Sequence, residues 1–237
     1  MRRVLVTRPE PDASRTARKL AALGFEPVLL PLTKTVPLPL NDWPKLEDLA
    51  AAAVTSANAV RHAPPGLLQH IAHLPAYAVG EKTAQIARAA GLAVVYTGAG
   101  DADHLARRII AEIAPRTHIL ILCGRVRRGI LEEELGQAGL VPVVAETYDT
   151  IATKPSEQEL KEALAGVPVD AVLLYSGVTA EIFAETAGRA AVAPLFEHAA
   201  CFAISQRVAD KLPAGTQVHV AGEPTEDAML TLLAEQI

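Results

Sequence analysis

Val4-Leu-Val-Thr-Arg-Pro9 followed by Gly24-Phe-Glu-Pro-Val-Leu-Leu-Pro31 decides the fold, because the same pattern returns 115 residues later. The second copy reads Ile119-Leu-Ile-Leu-Cys-Gly124 and then Gly139-Leu-Val-Pro-Val-Val-Ala-Glu146. Each copy places a helix-forming segment between two apolar strands, and an internal repeat constrains the architecture before single residues are considered. Between residues 4–35 and 119–150 the identical pairs are Leu5/Leu120, Leu20/Leu135, Gly24/Gly139, Pro27/Pro142, Val28/Val143 and Thr35/Thr150.

The remainder of each copy agrees in pattern more than in identity. Residues 51–60 and 170–180 each begin as an apolar strand that ends at a serine, Ser56 or Ser176, where a helix starts. Two further strand–helix units follow in each copy. Short apolar strands that alternate with helices favour parallel sheets covered by helices on both faces. We therefore expect an α/β protein with two similar, flavodoxin-like parallel-sheet domains.

Composition excludes several classes of protein. A length of 237 residues suits one large domain or two small ones. The net charge of −5 argues against generic binding to nucleic acid or to acidic membranes, which needs a broad basic face. No apolar run approaches the roughly 20 residues that span a bilayer, and Arg2-Arg3 leads directly into a short strand rather than a signal sequence. We expect a soluble, cytoplasmic protein with no nucleic-acid or membrane partner.

The cysteines and histidines do not indicate a metal site. Cys123 and Cys201 lie in or at the end of apolar strands, as buried thiols do in a reducing compartment. The seven histidines are scattered, and no Cys/His cluster has the spacing of metal ligands. The sequence therefore predicts no metal.

Two proline-bounded, β-prone segments interrupt the alternation of strands and helices. We predict that residues 33–40 and 148–154 lie side by side as a two-stranded β linker. One domain then combines 1–32 with 155–237, the other spans 41–147, and a ligand cleft lies between them. Two consecutive domains remain the alternative, because the repeat buries equivalent faces in both arrangements.

Polar side chains collect where the predicted strands end and the helices begin. In parallel sheets these turns share one edge, where ligands bind. Helix N-terminal N–H groups exposed there attract anions, and glycines and hydroxyls allow a close approach. No glycine-rich dinucleotide or phosphate loop and no Gly-x-Ser-x-Gly motif is present. The candidate binding residues are Arg8, Ser56, Lys82, Thr83, Gly124, Ser176, Gly177 and Thr225.

Several candidates also have a purely structural explanation. Ser56 and Ser176 suit helix capping, and Arg8 suits a solvated surface. Lys82 lies at a helix start, where a positive charge opposes the helix dipole, and this misfit favours an anionic partner. Tyr148, in the second proline-bounded segment, is either an ordinary β-strand residue or a side chain that points into the cleft.

Short motifs follow one another in a fixed order and spacing over essentially the whole chain. They are Val4-Leu-Val-Thr-Arg-Pro9, Val54-Thr-Ser-Ala-Asn-Ala-Val60, Ala78-Val-Gly-Glu-Lys-Thr-Ala84, Cys123-Gly124 before basic residues, Glu146-Thr-Tyr148, Tyr175-Ser-Gly-Val-Thr179, Ala203-Ile-Ser-Gln-Arg-Val-Ala209 and Glu223-Pro-Thr225. Together these motifs resemble the uroporphyrinogen-III synthase family. One departure is Ser205-Gln206-Arg207, where the family commonly has Gly-Pro and hydroxyl residues, so the contacts of that turn are not carried over.

The resemblance implies a lyase that needs no cofactor, with two α/β domains and a two-stranded linker. Its substrate is hydroxymethylbilane, a linear tetrapyrrole with eight carboxylates. The enzyme expels the terminal hydroxyl, inverts the last pyrrole ring through a spiro intermediate and closes uroporphyrinogen III, a haem precursor, with loss of water. We expect a monomer, with the bilane-forming enzyme as a candidate partner.

The resemblance also implies roles for individual residues. Tyr148 would donate a hydrogen bond to the departing hydroxyl. Contacts to carboxylates or pyrroles would come from Ser56, Thr83, Ser176 and Thr225, and charge pairing from Lys82 and Arg8. Ring closure without inversion is the easy default, so the enzyme must hold the chain folded, and positioning supplies up to about 7–11 kcal/mol in favourable cases.

Two functions from other classes stay open on the residues alone. A non-catalytic two-domain anion-binding or sensor protein would also bind its ligand between domains. A nucleotide-sugar transferase would need a similar cleft, but normally with a phosphate-recognising glycine motif, which this chain lacks.

Overall fold

A computed structural model describes residues 1–40 and 49–237 of the chain. The chain divides into two compact units: unit 1 is Met1–Lys34 with Ile151–Ile237, and unit 2 is Thr35–Thr150. Residue 41, where the sequence predicts the start of the second domain, lies outside the described residues.

Strands and helices alternate along most of the chain. A short 3-10 helix at Ala193–Leu195 precedes the tenth strand. The strands are β1 (Arg3–Val6), β2 (Glu26–Leu29), β3 (Thr33–Pro37), β4 (Leu49–Val54), β5 (Pro75–Ala78), β6 (Ala93–Thr97), β7 (His118–Gly124), β8 (Val141–Ala152), β9 (Ala171–Leu174), β10 (Ala200–Ala203) and β11 (Val218–Val220). The helices are α1 (Asp12–Ala22), α2 (Ala57–Arg61), α3 (Pro65–Ile71), α4 (Glu81–Ala89), α5 (Ala102–Glu112), α6 (Ile130–Gln137), α7 (Glu157–Leu164), α8 (Gly177–Ala187), α9 (Gln206–Ala209) and α10 (Glu226–Gln236).

Unit 1 is built on a parallel sheet with the strand order β2–β1–β9–β10–β11. This is the 2-1-3-4-5 order of flavodoxin-like sheets. Strands β1, β9 and β10 are fully buried, because apolar side chains alternate between two clusters on opposite faces. Leu5 faces α7 and α8, whereas its neighbours Val4 and Val6 face α1 and α10.

Unit 2 repeats this arrangement, with β8–β7–β4–β5–β6 in place of β2–β1–β9–β10–β11. The repeated residues even share their register: Leu5 lies opposite Val28 in unit 1, and Leu120 lies opposite Val143 in unit 2. The strand–helix–strand unit of the first copy therefore pairs with strands of the second copy, through β1 and β9. The corresponding unit of the second copy pairs with the first copy, through β7 and β4. The predicted fold class is confirmed.

The chain passes from unit 1 to unit 2 within β3 and returns within β8. These strands are neighbours in the second sheet. The Leu38 N–H donates to the Thr147 carbonyl at 3.0 Å, and the Thr153 N–H donates to the Leu32 carbonyl at 2.9 Å. Leu38 is bonded to Thr147 whereas the earlier residue Leu32 is bonded to the later residue Thr153, so the two segments run antiparallel. That these two strands form a flexible linker between the units stays a prediction.

No helix within the described ranges is long and apolar enough to cross a membrane.

Candidate active site

Three predicted site residues lie together in unit 2, where β4 and β7 end beside the middle of β8. The Tyr148 hydroxyl donates to Ser56 Oγ at 3.1 Å. The Tyr148 ring lies against the backbone of Gly124, so closely that a Cβ on this glycine would stand 2.6 Å from Tyr148 Cζ and 2.9 Å from its Oη. Glycine is thus required here by the closeness of the aromatic ring, since real Cβ atoms do not approach carbon so closely.

Ser56 has two roles in this group. It is the N-cap of α2, and its Oγ accepts the N–H of Asn58 at 3.1 Å. The same oxygen accepts the Tyr148 hydroxyl proton. A hydroxyl has two acceptor lone pairs and one hydrogen, so the proton of Ser56 is left for a further acceptor. The capping explanation and the site role are therefore compatible.

A β-bulge in β8 sets the direction of the Tyr148 side chain. Cys123 pairs with Glu146 and Gly124 pairs with Tyr148, so Thr147 is an extra residue on β8. In a regular strand, neighbouring side chains point to opposite faces. Here Thr147 contacts α2, and the Tyr148 ring packs on the apolar cluster of that same face.

The surroundings of Tyr148 keep its phenol protonated. Burial raises the pKa of Tyr148 above its ordinary value, and the hydrogen bond to Ser56 offsets part of this rise. The His62 ring stands 6.0 Å from the Tyr148 ring, and burial followed by the charge of Arg61 lowers the pKa of His62. A protonated phenol beside a neutral imidazole is suited to donate a hydrogen bond.

An arginine–glutamate cluster borders the group at the end of β7. Glu146 accepts Arg125 Nε at 3.2 Å and Arg127 Nη1 at 2.6 Å, and Arg127 also pairs with Glu132. The hydrogen bond from Arg127, followed by that from Arg125, holds the pKa of Glu146 below its ordinary value. The Arg125 N–H donates to the Tyr148 carbonyl at 2.9 Å, so this cluster also fixes the backbone at the bulge.

Lys82 and Thr83 lie in the first turn of α4, after the strand next to β4. Lys82 is exposed and Thr83 is buried. Gly80 precedes this helix, and no side chain caps it. These two residues thus share the sheet edge with Ser56, and their binding role stays a prediction.

In unit 1, three predicted residues lie at the carboxyl edge of the sheet. Ser176 caps α8 by accepting the Thr179 N–H at 3.2 Å, and Thr225 caps α10 by accepting the Ala228 N–H at 3.2 Å. Gly177 is the first residue of α8, and a Cβ there would stand 3.3 Å from Lys211 Cγ. Capping is therefore observed for both hydroxyls, and substrate contact stays a prediction for all three residues.

Arg8, the fourth residue of this group, is half-buried in an ion-pair network rather than solvated. It pairs with Asp12 at 3.0 Å and with Glu226 at 2.8 Å, and its guanidinium stands 4.1 Å above the Tyr175 ring. Burial raises the pKa of Tyr175 to about 12. Lys19 also pairs with Glu226, at 2.8 Å.

Sequence reasoning missed several residues of these two groups. Glu226 gave no signal as a partner of Arg8, because 218 positions separate the two residues in the chain. Tyr175 stood in a matching motif, but the sequence assigned it no role. Thr147 gave a weak signal in the sequence. Glu146-Thr147-Tyr148 places three polar side chains in a row, which breaks the alternation of a strand and suggests a bulge.

Within the described residues, no cluster of His, Cys, Asp and Glu could hold a metal ion.

Comparisons with known proteins identify the family. The family model described as uroporphyrinogen-III synthase HemD matches residues 14–231. The uroporphyrinogen-III synthase of Chlorobaculum parvum is 27% identical over 198 residues, which cover 79% of this chain and 80% of that protein.

Solved structures share the fold. The uroporphyrinogen-III synthetase of Helicobacter pylori 26695 gives a TM-score of 0.71 at 18% identity, with all of both chains covered. A mutant uroporphyrinogen III synthase from the extremely thermophilic bacterium Thermus thermophilus gives 0.58 at 20% identity, covering 100% of this chain and 98% of that one. Since the family model spans nearly the whole sequence and agrees with the motifs, the chain belongs to the uroporphyrinogen-III synthase family.

Proposed function

We propose that this chain is a lyase that cyclises hydroxymethylbilane to uroporphyrinogen III, with inversion of the terminal pyrrole ring and loss of water. Family membership supports the overall reaction. The observation that carries the proposal for this chain is the Tyr148–Ser56 pair, which offers a protonated phenol at the carboxyl edge of the unit 2 sheet. No cofactor takes part in the proposed reaction.

Tyr148 acts on the departing hydroxyl in this proposal. Its proton passes to the hydroxyl as the C–O bond breaks, water leaves, and the electron-rich pyrrole carries the resulting positive charge. The substituted carbon of the last pyrrole attacks this centre and gives the spiro intermediate. After rearrangement and closure, the ring carbon releases one proton, which restores the phenol. General acid catalysis is typically worth about 10²–10⁴-fold, and we place Tyr148 below that range because the electron-rich pyrrole expels its hydroxyl readily.

The remaining predicted residues hold the substrate. In unit 2 these are Ser56, Lys82, Thr83 and Gly124. Hydroxyls and helix N-terminal N–H groups suit carboxylates, since both donate hydrogen bonds to anions. In unit 1 the proposed contacts are Arg8, Ser176, Gly177 and Thr225. Because the substrate has eight carboxylates, the proposal spreads binding over many donors and makes none of these side chains indispensable.

The state of the protein in the cell belongs to the same proposal. We propose a cytoplasmic monomer that receives its unstable substrate from the bilane-forming enzyme. Sedimentation of the chain alone tests the monomeric state, and sedimentation with that enzyme tests whether the two proteins associate.

One experiment tests the function directly. The protein is incubated with freshly prepared hydroxymethylbilane, and the isomer and its rate of formation are measured beside a heat-denatured sample. We expect the type III isomer, formed faster than the spontaneous type I product. Type I product alone, at the spontaneous rate, would reject the synthase. Tight binding of the bilane without acceleration would indicate the anion-binding protein instead.

A further inference from the structure

Thr147 precedes Tyr148 in β8, is fully buried and has no role in the proposed chemistry. We infer that Thr147 is a positioning residue, which holds the Tyr148 hydroxyl against Ser56 by joining the strand of one residue to the helix of the other. This inference rests on the proposed function, because the group that it positions is the proposed acid.

The hydroxyl of Thr147 joins β8 to α2. Its Oγ1 donates to the carbonyl oxygen of Ala59 at 2.7 Å, and the Cys123 carbonyl lies 3.5 Å away. Ala59 belongs to α2, the five-residue helix that Ser56 caps. So short a helix has little stability of its own, and its position depends on tertiary contacts. The bond from Thr147 therefore fixes where the N-terminus of α2, and with it Ser56, stands relative to β8.

The bulge gives Thr147 a second effect on the same pair. As the extra residue of β8, Thr147 turns the following side chain toward the face that Thr147 itself occupies. Bulges of this kind often re-aim a side chain beside an active site. Without an anchored bulge, regular alternation would send Tyr148 to the opposite face, away from Ser56. One buried hydroxyl thus stabilises both the position of the acceptor and the direction of the donor.

The test compares Thr147→Val with a matched control. Valine keeps the shape of threonine and removes only the donor. In Thr186→Val, the same change removes a buried hydroxyl that donates to the Ile182 carbonyl of α8 at 2.8 Å. Both full-length variants are assayed with freshly prepared hydroxymethylbilane for kcat, KM and isomer, and the phenol is titrated by near-ultraviolet absorbance against Tyr148→Phe.

We expect Thr147→Val to lower kcat by about fivefold, with KM within about twofold, because a misplaced acid slows the reaction whereas a buried residue does not touch substrate. The Tyr148 pKa should fall toward its ordinary value, because the loosened ring loses burial, which has the larger effect, and loss of the Ser56 bond offsets only part of this fall. Thr186→Val should match the wild type in every measurement. Thr147→Ser, which restores the donor, should recover most of kcat.

A double variant separates positioning from a general effect on structure. Since Thr147 acts through Tyr148, Thr147→Val should lower kcat no further in a Tyr148→Phe background. An undiminished loss there, or wild-type kcat and titration in Thr147→Val alone, would overturn the inference. If the valine variant does not fold, Thr147→Ser and Thr147→Ala are compared, and equal kcat values overturn it.

Failure of the proposed function has a different outcome. A wild-type protein that yields only the spontaneous isomer rejects the synthase. The phenol titration of Thr147→Val still tests the positioning of Tyr148 in that case, because it needs no substrate.

Discussion

The hydroxyl groups of Tyr148 and Ser56 lie 3.1 Å apart, although 92 residues separate them in the chain. One lies on a strand that follows the repeated helix of the second copy, and the other caps a helix of the first copy. The pair therefore exists only because the two copies exchange strands within one sheet. The pairing of strands from both copies thus builds the unit 2 sheet and also brings the two candidate residues together.

Tyr148→Phe should lower kcat by tens-fold or less, because the electron-rich pyrrole expels its hydroxyl readily and positioning provides much of the catalysis. Steady-state rates with fresh hydroxymethylbilane check this. Tyr77→Phe is the control, since its hydroxyl also makes a hydrogen bond, to Glu112 at 2.9 Å, and it should leave kcat unchanged. Complete loss of activity in a folded Tyr148→Phe protein would mean that proton transfer is indispensable.

Gly124→Ala should lower both activity and stability, because its Cβ would stand 2.6 Å from Tyr148 Cζ and the ring must move. Overpacking of this kind typically costs about 1–3 kcal/mol of unfolding free energy. Gly136→Ala in α6 is the control: its Cβ would meet nothing within 4 Å, so alanine should stabilise the helix by about 0.5–1 kcal/mol. Urea unfolding measures both values.

The same clash can be relieved by a second substitution. In a Tyr148→Ala background the ring is absent, so Gly124→Ala should cost much less stability than in the wild type. An equal cost in both backgrounds would show that Gly124 is required for a reason other than the ring.

The repeat made much of the fold predictable. A repeated strand–helix–strand pattern with Gly24 and Gly139 at equivalent helix ends predicts two similar parallel sheets, and both glycines have a positive φ, 84° and 80°. The apolar strands predict helices on both faces, and each sheet has an apolar cluster on either face, with Leu5 in one and Leu120 in another. Which strands pair was not determined by the repeat, because consecutive and crossed arrangements bury equivalent faces.

The site was less predictable, because its decisive contacts depend on distance in space and not on sequence. Motifs gave Ser56, Gly124 and Tyr148 as separate candidates, but not the contact of the Gly124 backbone with the Tyr148 ring. A bulge at Thr147 reverses the face that alternation assigns to Tyr148. The three consecutive polar residues Glu146-Thr147-Tyr148 suggest a bulge, but periodicity does not give the direction of the Tyr148 side chain, since a bulge is an exception to the period.

Glu226→Gln should destabilise unit 1 by about 2 kcal/mol at pH 7, because the carboxylate accepts bonds from Arg8 and Lys19, each at 2.8 Å. Burial alone would raise the pKa of Glu226, but the hydrogen bonds from Lys19 and Thr16 and the charge of Arg8 together hold it below its ordinary value. A lowered folded-state pKa gives stability that is complete above the unfolded-state pKa of about 4.3 and is lost as pH falls through the folded-state value.

The stability difference between wild type and Glu226→Gln should therefore be constant near neutral pH and shrink below about pH 4. Thermal unfolding from pH 3 to 7 measures it. Glu223→Gln is a control of equal charge, since Glu223 is exposed and forms no ion pair with the described residues. A difference that grows on acidification would mean that the carboxylate is not stabilised in its charged form.

The pH dependence of kcat should follow the ionisation of Tyr148. A general acid is lost as pH rises through its pKa, and burial raises the pKa of Tyr148 above the ordinary value of about 10. The decline of kcat at alkaline pH should therefore lie above about pH 10 and disappear in Tyr148→Phe.

His62 should add no step to the pH profile of kcat above pH 7. Burial and then the charge of Arg61 lower the pKa of His62, so the imidazole is already neutral there. Initial rates between pH 7 and about pH 11.5 distinguish these outcomes. A decline below pH 9 that vanishes in Tyr148→Phe would show that substrate makes the phenol more acidic than burial alone allows, whereas a decline that persists in this variant would assign the proton to another group.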